Sequence, residues 1–219
     1  MIDIRIMASP KRAKNVARLC SKLGLSEDAV TWDDRPNGGD AMYTARKAWM
    51  HPLPDGVTHR FVLQDDVEVC EDFTHIIDAI ARTHPRRAVT GISFLQPSNY
   101  PAYNGTPYYR VTNMPGCAIM LPADVARSCM EWCDNSTDAI LKPHDDLMIS
   151  KYCREHSVMM IATFPCIVQH PDDGTLLGET YSWRRTSKYY DSHAKADWCN
   201  RSILLPKNTQ HQKIQDNCR

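Results

Sequence analysis

Two adjacent aspartates that follow a hydrophobic segment are the residues best suited to chemistry in this sequence. In FVLQDDVEVCEDF the apolar run stops at Gln64, and Asp65 and Asp66 come next. Carboxylate oxygens are hard ligands of the kind that Mg²⁺ and Mn²⁺ prefer, usually together with substrate phosphates. A solvated acidic turn before the next helix would look the same, because acidic residues are common at helix starts. The pair alone does not decide between these two interpretations.

A second acidic pair lies just before another apolar segment. Asp145 and Asp146 follow His144 and precede Leu147-Met148-Ile149. One aspartate could be a general base that takes a proton from an acceptor hydroxyl. Alternatively, Asp145 could cap the N-terminus of a helix, and this second interpretation is favoured while the pair is considered alone.

Two further features could belong to a site. His170 follows the strand-like segment 164–168 and could ligate a metal, although a single histidine at a strand end is more often merely exposed. Gly116 lies in a turn before an apolar segment. It would either let the backbone approach a ligand closely or only permit the turn.

The elements that carry these residues alternate between strand and helix in the first part of the chain. Residues 2–6 alternate apolar and polar side chains as a strand does; Ser9 and Pro10 then predict a helix start, and Gly24 predicts its end. Further strands are predicted at 29–32, 59–63, 88–94, 108–112, 116–121 and 157–163, and further helices up to residue 49 and at 73–82, 122–133 and 145–155. Such alternation favours a single α/β domain in which helices cover a parallel sheet.

Composition restricts the class of protein. Of the 219 residues, 42% are hydrophobic and 24% are charged, as in ordinary globular domains. Basic and acidic residues both number 26, so no strong overall field draws the chain to nucleic acid or to a membrane. No apolar run approaches the roughly 20 residues that cross a bilayer. The opening MIDIRIMASPKR does not resemble a secretory signal, so we expect a cytoplasmic protein with no membrane partner.

The nine cysteines form no CxxC pair and show no zinc-site spacing. Cys129 and Cys133 lie one helical turn apart, which would suit half of a metal site. Cysteines in this arrangement are more often small buried hydrophobes, and we predict that role for both, with reduced thiols.

The order of these features resembles the GT-A glycosyltransferases over roughly residues 2–178. That family has an acidic DxD-type motif, a glycine loop, an xED motif and a late histidine, in this order. The matching features here are Gln64-Asp65-Asp66, the loop around Gly116, His144-Asp145-Asp146 and His170. The resemblance implies a single GT-A (Rossmann-like) α/β domain over residues 1–180, with a mixed, mainly parallel central sheet flanked by helices. It also implies a C-terminal extension over residues 181–219 that packs on or near the active site.

The resemblance implies roles for particular residues. Asp66 and His170 would bind Mn²⁺ or Mg²⁺, and Asp146 or Asp145 would be the catalytic base. The residues that would bind the nucleotide-sugar donor, UDP-glucose or a similar compound, are Ser9, Arg12, Asp33, Asp34, Gln64, Asp65 and Gly116. Gln64 stands where the DxD pattern has its first acid, which tells against a two-acid metal cradle. A base that deprotonates the acceptor permits a single displacement, so we predict an inverting transferase.

The segments RIMASPKR, LQDDVEV and VQHPDDGTLLG resemble small glycosyltransferases of bacteriophage genomes, some of which modify hydroxymethylated pyrimidines in phage DNA. This resemblance favours 5-hydroxymethylpyrimidines in DNA, such as 5-hydroxymethylcytosine, as the acceptor, and the host cytoplasm as the location. Tyr103, Trp183, Arg184 and Arg185 supply aromatic and basic groups for base stacking and phosphate contact, so we predict that they bind the acceptor. An amphipathic tail packed on the core would have a similar composition.

Other functions are compatible with the same residues. A saccharide or a lipid-linked sugar is the competing acceptor. A metal-dependent phosphohydrolase or nucleotidyltransferase would also use aspartates and a histidine, and it would release nucleotide without transferring a sugar. A non-catalytic binding protein would keep its binding after substitution of Asp66 and Asp146 and would need no divalent metal.

Overall fold

The computed structural model describes residues 1–35, 41–93, 108–171, 187 and 189–196. These residues form an α/β fold of nine strands and five α-helices. The strands are β1 (Ile2–Ala8), β2 (Val30–Trp32), β3 (His59–Gln64), β4 (Glu68–Val69), β5 (Ala88–Thr90), β6 (Tyr108–Arg110), β7 (Ala118–Pro122), β8 (Met160–Thr163) and β9 (Val168–Gln169). The helices are α1 (Ala13–Leu23), α2 (Ala41–Trp49), α3 (Phe73–Thr83), α4 (Ala123–Asn135) and α5 (Asp145–Glu155).

Seven of the described strands form one mixed sheet in the order β2-β1-β3-β7-β5-β8-β6, and β4 pairs with β9 in a separate small sheet. Helices connect β1, β2 and β3, so these strands run parallel. Strand β7 enters antiparallel between β3 and β5, and β6 is antiparallel to β8. Five of the seven strands therefore share one direction. The predicted α/β architecture, with a mixed sheet flanked by helices, is confirmed.

Helices cover both faces of the large sheet. Along β3, alternate side chains point into opposite layers: Phe61 and Leu63 join the residues of α1 and α3, and Val62 joins those of α2, α4 and α5. Phe61 also meets Phe73 of α3 edge to face, with ring centroids 5.2 Å apart. This burial on both faces explains why β3 reads as a continuous hydrophobic run.

The start of the first helix differs from the prediction. Residues Pro10–Arg12 form a 3-10 turn, capped by a hydrogen bond from the Lys11 N–H to the Ser9 Oγ, and the α-helix begins at Ala13. Its end was predicted correctly, because Gly24 adopts the left-handed conformation (φ 64°) that a C-terminal glycine allows.

The predicted burial of the helical cysteines is confirmed. Cys129 and Cys133 are buried in α4, and the described cysteines are free thiols. None of the described helices combines the length and the apolar character needed to cross a bilayer.

Candidate functional site

The carboxyl ends of β1 and β3 lie side by side. The two strands are parallel, with Met7 aligned to Gln64, so Ser9, which follows β1, lies beside Asp65 and Asp66, which follow β3. The backbone N–H of Ser9 donates to Asp65 Oδ2 at 2.6 Å. Open α/β sheets bind their ligands at this edge, beyond the carboxyl ends of the parallel strands.

Four side chains meet at this edge and form what we call the Asp65–Asp66 cluster: Asp65, Asp66, Arg12 and His170. Arg12 Nη1 donates to Asp65 Oδ1 at 3.2 Å and also contacts Asp66 Oδ2. His170 Nε2 lies 3.0 Å from the same Asp66 oxygen. Asp65, Asp66 and His170 are 6%, 9% and 4% exposed, so their charges are poorly screened by water. The structure thus brings together Asp66 and His170, the two predicted metal ligands.

The small sheet positions His170. Strand β4 begins two residues after Asp66, and β9 ends one residue before His170; Glu68 pairs with Gln169. The backbone N–H groups of residues 167 and 168 both donate to the carbonyl of Gly91. A Cβ on Gly91 would lie 2.8 Å from the Val168 side chain, so only glycine lets this segment approach so closely.

The two carboxylates of the cluster ionise differently. For Asp66, burial alone would raise the pKa, but the hydrogen bond and charge of His170 and the charge of Arg12 together outweigh it, and the pKa is lowered. For Asp65, burial outweighs the Ser9 N–H and Arg12, and the pKa is raised. Asp66 is therefore the carboxylate that the site holds in its charged form.

Two features of the cluster fit a divalent cation. Asp66 Oδ1 is buried without a hydrogen-bond partner. His170 Nδ1 lies 2.9 Å from the Pro171 carbonyl, and Nε2 faces Asp66. An imidazolium donates to both oxygens, and a cation would suit the position of the Nε2 proton, with Nδ1–H held by the carbonyl as in many metal sites.

The protein alone does not supply a complete set of ligands in the described residues. These contain no group of three or more His, Cys, Asp and Glu side chains arranged to hold a metal. Asp66 and His170 would thus need further ligands from water or substrate phosphates, which is how Mg²⁺ is commonly bound.

Asp145 and Asp146, which we call the α5 pair, are the first two residues of α5. His144 occupies the N-cap position and its own side chain makes no cap hydrogen bond, so the interpretation of Asp145 as the N-cap is wrong. The Leu147 N–H donates to Asp146 Oδ1 at 2.8 Å. Burial raises the pKa of Asp146, and the N–H groups of Leu147 and Gly116 lower it by less. A half-buried carboxylate with a raised pKa is the form expected of a general base.

Gly116 connects the two acidic groups. A Cβ at this position would lie 3.1 Å from the Asp146 Cβ and 3.3 Å from Asp145 Oδ1. The Gln64 N–H donates to the Cys117 carbonyl at 3.0 Å, which extends the pairing of β3 with β7 and sets Gly116 beside the end of β3. The α5 pair therefore lies at the same edge of the sheet as the Asp65–Asp66 cluster.

The two acids predicted to bind the donor after β2 have other partners. The backbone N–H of Asp33 donates to the carbonyl of Ala8, the last residue of β1. This hydrogen bond places Asp33 at the same edge of the sheet. Its carboxylate is held by Arg35 at 2.9 and 3.0 Å. The Asp34 carboxylate accepts hydrogen bonds from Lys47 and Tyr43 of α2. The side chains of Asp33 and Asp34 thus do not join the Asp65–Asp66 cluster, and their contact with a donor stays a prediction.

Tyr103, Trp183, Arg184 and Arg185, the predicted acceptor residues, lie outside the described residues. The described part of the C-terminal segment packs near His170. The Gln169 side chain exchanges two hydrogen bonds with the Ser187 backbone, and the Glu71 N–H donates to the Ser192 carbonyl. The boundary at residue 180 and the position of the whole extension stay predictions.

Some residues that build the site were missed by the sequence analysis. Gln169 and Pro171 hold His170 and its neighbouring chain, and no pattern indicated this. Ser150 accepts a hydrogen bond from the Met114 N–H at 2.9 Å and so holds the turn that leads to Gly116. A serine among the apolar residues of α5 was the one signal that could have identified it.

No protein-family model matches the sequence, and no curated protein matches it. Among solved structures, the chain is similar to a glycosyltransferase involved in the glycosylation of the major capsid of PBCV-1. The sequence identity is 12% and the TM-score is 0.38, over 78% of this chain and 94% of that chain. A likeness this distant assigns neither a family nor a substrate.

Proposed function

We propose that the protein is a glycosyltransferase that uses a nucleotide-sugar donor, bound where the parallel strands end. One observation supports this most directly: two acidic groups with aspartates whose pKa values shift in opposite directions, a buried Asp66 and a half-buried Asp146, lie at one edge of the sheet. The pKa of Asp66 is lowered beside Arg12 and His170, and the pKa of Asp146 is raised by burial. Such a division suits a reaction that needs a fixed anion at one point and a proton acceptor at another.

The donor side of the proposed site consists of the Asp65–Asp66 cluster and the ends of β1 and β2. A divalent cation, Mn²⁺ or Mg²⁺, held by Asp66 and His170 would stabilise negative charge on the departing nucleoside diphosphate. Arg12 brings a permanent positive charge to the same place. Asp65 fixes the loop after β1 through the Ser9 N–H. Asp33 and Asp34 would contact the nucleoside, and Gln64 and Gly116 would contact the sugar end.

The α5 pair would act on the acceptor. We assign Asp146 as the base that takes the proton from the acceptor hydroxyl, with Asp145 as the alternative. The acceptor oxygen then forms its bond to the anomeric carbon while the bond from that carbon to the diphosphate breaks. A single displacement of this kind inverts the anomeric centre. An NMR spectrum of the product that shows retention would contradict this mechanism.

For the acceptor we propose 5-hydroxymethylpyrimidines in DNA. The support is the type and order of the residues Tyr103, Trp183, Arg184 and Arg185, which supply stacking surfaces and phosphate partners. The base that carries the acceptor hydroxyl must leave the duplex stack to reach a half-buried carboxylate. Single-stranded DNA should therefore be modified at least as fast as duplex DNA.

The proposal is tested by offering the protein nucleotide sugars, beginning with UDP-glucose, together with Mn²⁺ or Mg²⁺ and DNA that contains 5-hydroxymethylcytosine. Mass spectrometry of the digested nucleosides should show a gain of one hexose. The gain should be lost in Asp146→Asn and kept in Asp134→Asn, a control carboxylate that is paired with Arg46 at the surface.

Other results of the same assay separate the alternatives. If oligosaccharides gained a hexose and DNA did not, the proposed DNA acceptor would be wrong and the proposed glycosyltransferase activity would stand. Release of nucleotide without sugar transfer to any acceptor would indicate a phosphohydrolase and contradict the proposed function.

A further inference from the structure

Arg12 is the closest cationic side chain to both carboxylates of the Asp65–Asp66 cluster among the contacts the structure describes. It follows Ser9 on the 3-10 turn, and its guanidinium bridges the two carboxylates with only 13% of the side chain exposed. By contrast, Arg18 of α1 pairs with Glu68 at the surface, with more than half of its side chain exposed. The guanidinium of Arg12 is therefore part of the site, not of its solvated rim.

We infer that Arg12 is the resident counter-ion of the cluster: it opposes the binding of a divalent cation at Asp66, and it is released from Asp66 by the diphosphate of the donor. This inference rests on the proposed function only where it names the diphosphate. In this role Arg12 sets how tightly the divalent cation binds and whether it binds before or after the donor.

Competition for Asp66 follows from the positions of its two oxygens. Asp66 Oδ2 is contacted by both Arg12 and His170, and Oδ1 is buried without a hydrogen-bond partner. A cation that took Oδ1 and His170 Nε2 would lie next to the guanidinium on the same carboxylate. Two positive centres so close, and so little exposed to water, repel each other strongly. Arg12 must then weaken the binding of the metal or move away from Asp66.

The release of Arg12 needs another anion. The Arg12 guanidinium lies against Asp65 Oδ1 and Asp66 Oδ2, and only 13% of its side chain is exposed. A partly buried guanidinium that loses one of these carboxylates to a metal loses part of the negative charge that balances it, which is costly. A diphosphate at the same edge supplies the missing anion, and guanidinium groups bind phosphate oxygens in two-point contacts.

Two neighbours of Arg12 in the cluster are held by backbone groups. Asp65 is held by the Ser9 N–H, and His170 is held by the Pro171 carbonyl. Arg12 reaches the cluster through a long side chain from the turn that precedes α1. It is thus the member of the cluster that can change partner while the carboxylates and the imidazole stay in place.

The test compares Mn²⁺ binding and UDP binding in the wild type and Arg12→Gln. The EPR signal of free Mn²⁺ gives the metal affinity without nucleotide, and equilibrium dialysis gives the UDP affinity without metal. Arg12→Gln should bind Mn²⁺ about tenfold more tightly, because a competing charge is gone, and UDP about tenfold more weakly, because a phosphate partner is gone. Arg12→Lys, which keeps the charge, should stay closer to the wild type in both.

Arg18→Gln is the matched control, because it removes an arginine that contacts only the surface residue Glu68 among its described salt bridges. It should change neither affinity. A misfolded variant can only lose affinity, so tighter Mn²⁺ binding cannot come from damage to the fold. Mn²⁺ affinity that is unchanged or weaker in Arg12→Gln, or no Mn²⁺ binding by any of these proteins, would overturn the inference.

A failure of the proposed function can be distinguished from a failure of the inference about Arg12. If the wild type does not bind UDP or another nucleotide, the donor assignment is contradicted. The Mn²⁺ comparison, which needs neither donor nor acceptor, would still decide whether Arg12 is the counter-ion that opposes the metal.

Discussion

The Asp65–Asp66 cluster and the α5 pair are both acidic, both at least partly buried and both at one edge of the sheet, yet their surroundings differ in kind. Asp66 faces the side chains of Arg12 and His170, which lie far from it in the sequence. Asp146 is bound by the backbone N–H groups of Leu147 and Gly116. Burial pushes the pKa upward at both aspartates, and only the nearby side-chain cations at Asp66 are strong enough to reverse it.

This difference teaches how one sheet edge can carry two functions. A carboxylate next to fixed or bound cations stays ionised and holds charge in place. A carboxylate that is surrounded mainly by backbone dipoles remains a stronger base and can take up a proton. Substitutions in each group test whether Asp66 holds charge and Asp146 accepts a proton.

The largest effect is expected from neutralising one aspartate of each group. Asp146→Asn should lower kcat by about 10² to 10⁴-fold, because the proton acceptor is lost, and should leave Mn²⁺ and UDP affinity unchanged. Asp66→Asn should abolish measurable Mn²⁺ binding, because an amide oxygen is a much weaker ligand. Turnover assays and Mn²⁺ EPR measure the two effects.

Asp145→Asn and Asp134→Asn complete this experiment. Asp145→Asn identifies which member of the α5 pair is the base, and Asp134→Asn gives the effect of a surface carboxylate. If Asp146→Asn lost Mn²⁺ affinity as completely as Asp66→Asn, the two groups would form one site and the division would be wrong.

The next effect concerns Gly116, which lies against the α5 pair. Gly116→Ala would bring a methyl group to 3.1 Å from the Asp146 Cβ and 3.3 Å from Asp145 Oδ1, so the start of α5 must shift. A shift of about 1 Å at a reacting group can cost roughly 100-fold in rate, and we expect kcat to fall by about 10 to 100-fold. UDP and Mn²⁺ affinity should change little.

Gly56→Ala is the control for that substitution. Gly56 has a positive φ (77°) but open space around its Cβ position, so alanine there should cost about 1 kcal/mol of stability and leave kcat unchanged. A normal kcat in Gly116→Ala would show that the contact with the α5 pair has no role in positioning the base.

The sequence predicted those parts of the molecule that leave a local pattern. Strand β3 was evident from its apolar run, and α5 from the apolar residues behind Asp145 and Asp146. Strand and helix positions are encoded within a few neighbouring residues, so single-sequence reasoning recovers them. The resemblance of the motif order then joined acids and histidine into one hypothesis.

The contacts that assemble the site left no such pattern. Strands β4 and β9 have two residues each and pair across about 100 residues, which is too short for any periodicity. Strand β7 runs antiparallel to β3, and no pattern within its five residues indicates that direction. The bridge of Arg12 to both carboxylates likewise depends on how the loop after β1 meets the end of β3.

A smaller effect is expected at Ser150. Its Oγ accepts the Met114 N–H at 2.9 Å, and both residues are almost completely buried. Ser150→Ala would leave this N–H unsatisfied, which costs about 1–3 kcal/mol. We expect lower stability in urea unfolding and a modest loss of kcat, since the turn before Gly116 is loosened. Ser26→Ala, at an exposed serine without a cap hydrogen bond, should have neither effect.

The smallest effect tests the ionisation of the two groups directly, through stability. The pKa of Asp66 is lowered in the fold, so its charged form stabilises the protein above the ordinary aspartate pKa of about 3.9, and this stability is lost as pH falls through the folded value. The pKa of Asp146 is raised, so its protonated form is favoured in the fold and ionisation destabilises the protein as pH rises through the folded value.

Opposite signs follow at neutral pH. Asp66→Asn should lower the free energy of unfolding and Asp146→Asn should raise it, each by about 1 kcal/mol, the usual size for one substitution. Both differences should shrink in acid, where the wild-type carboxylates are protonated and resemble the amides. Urea unfolding at pH 7 and below pH 3 measures them. If Asp146→Asn destabilised the protein at pH 7 as Asp66→Asn does, then both aspartates would be structural anions, and Asp146 would lose the property that makes it a base.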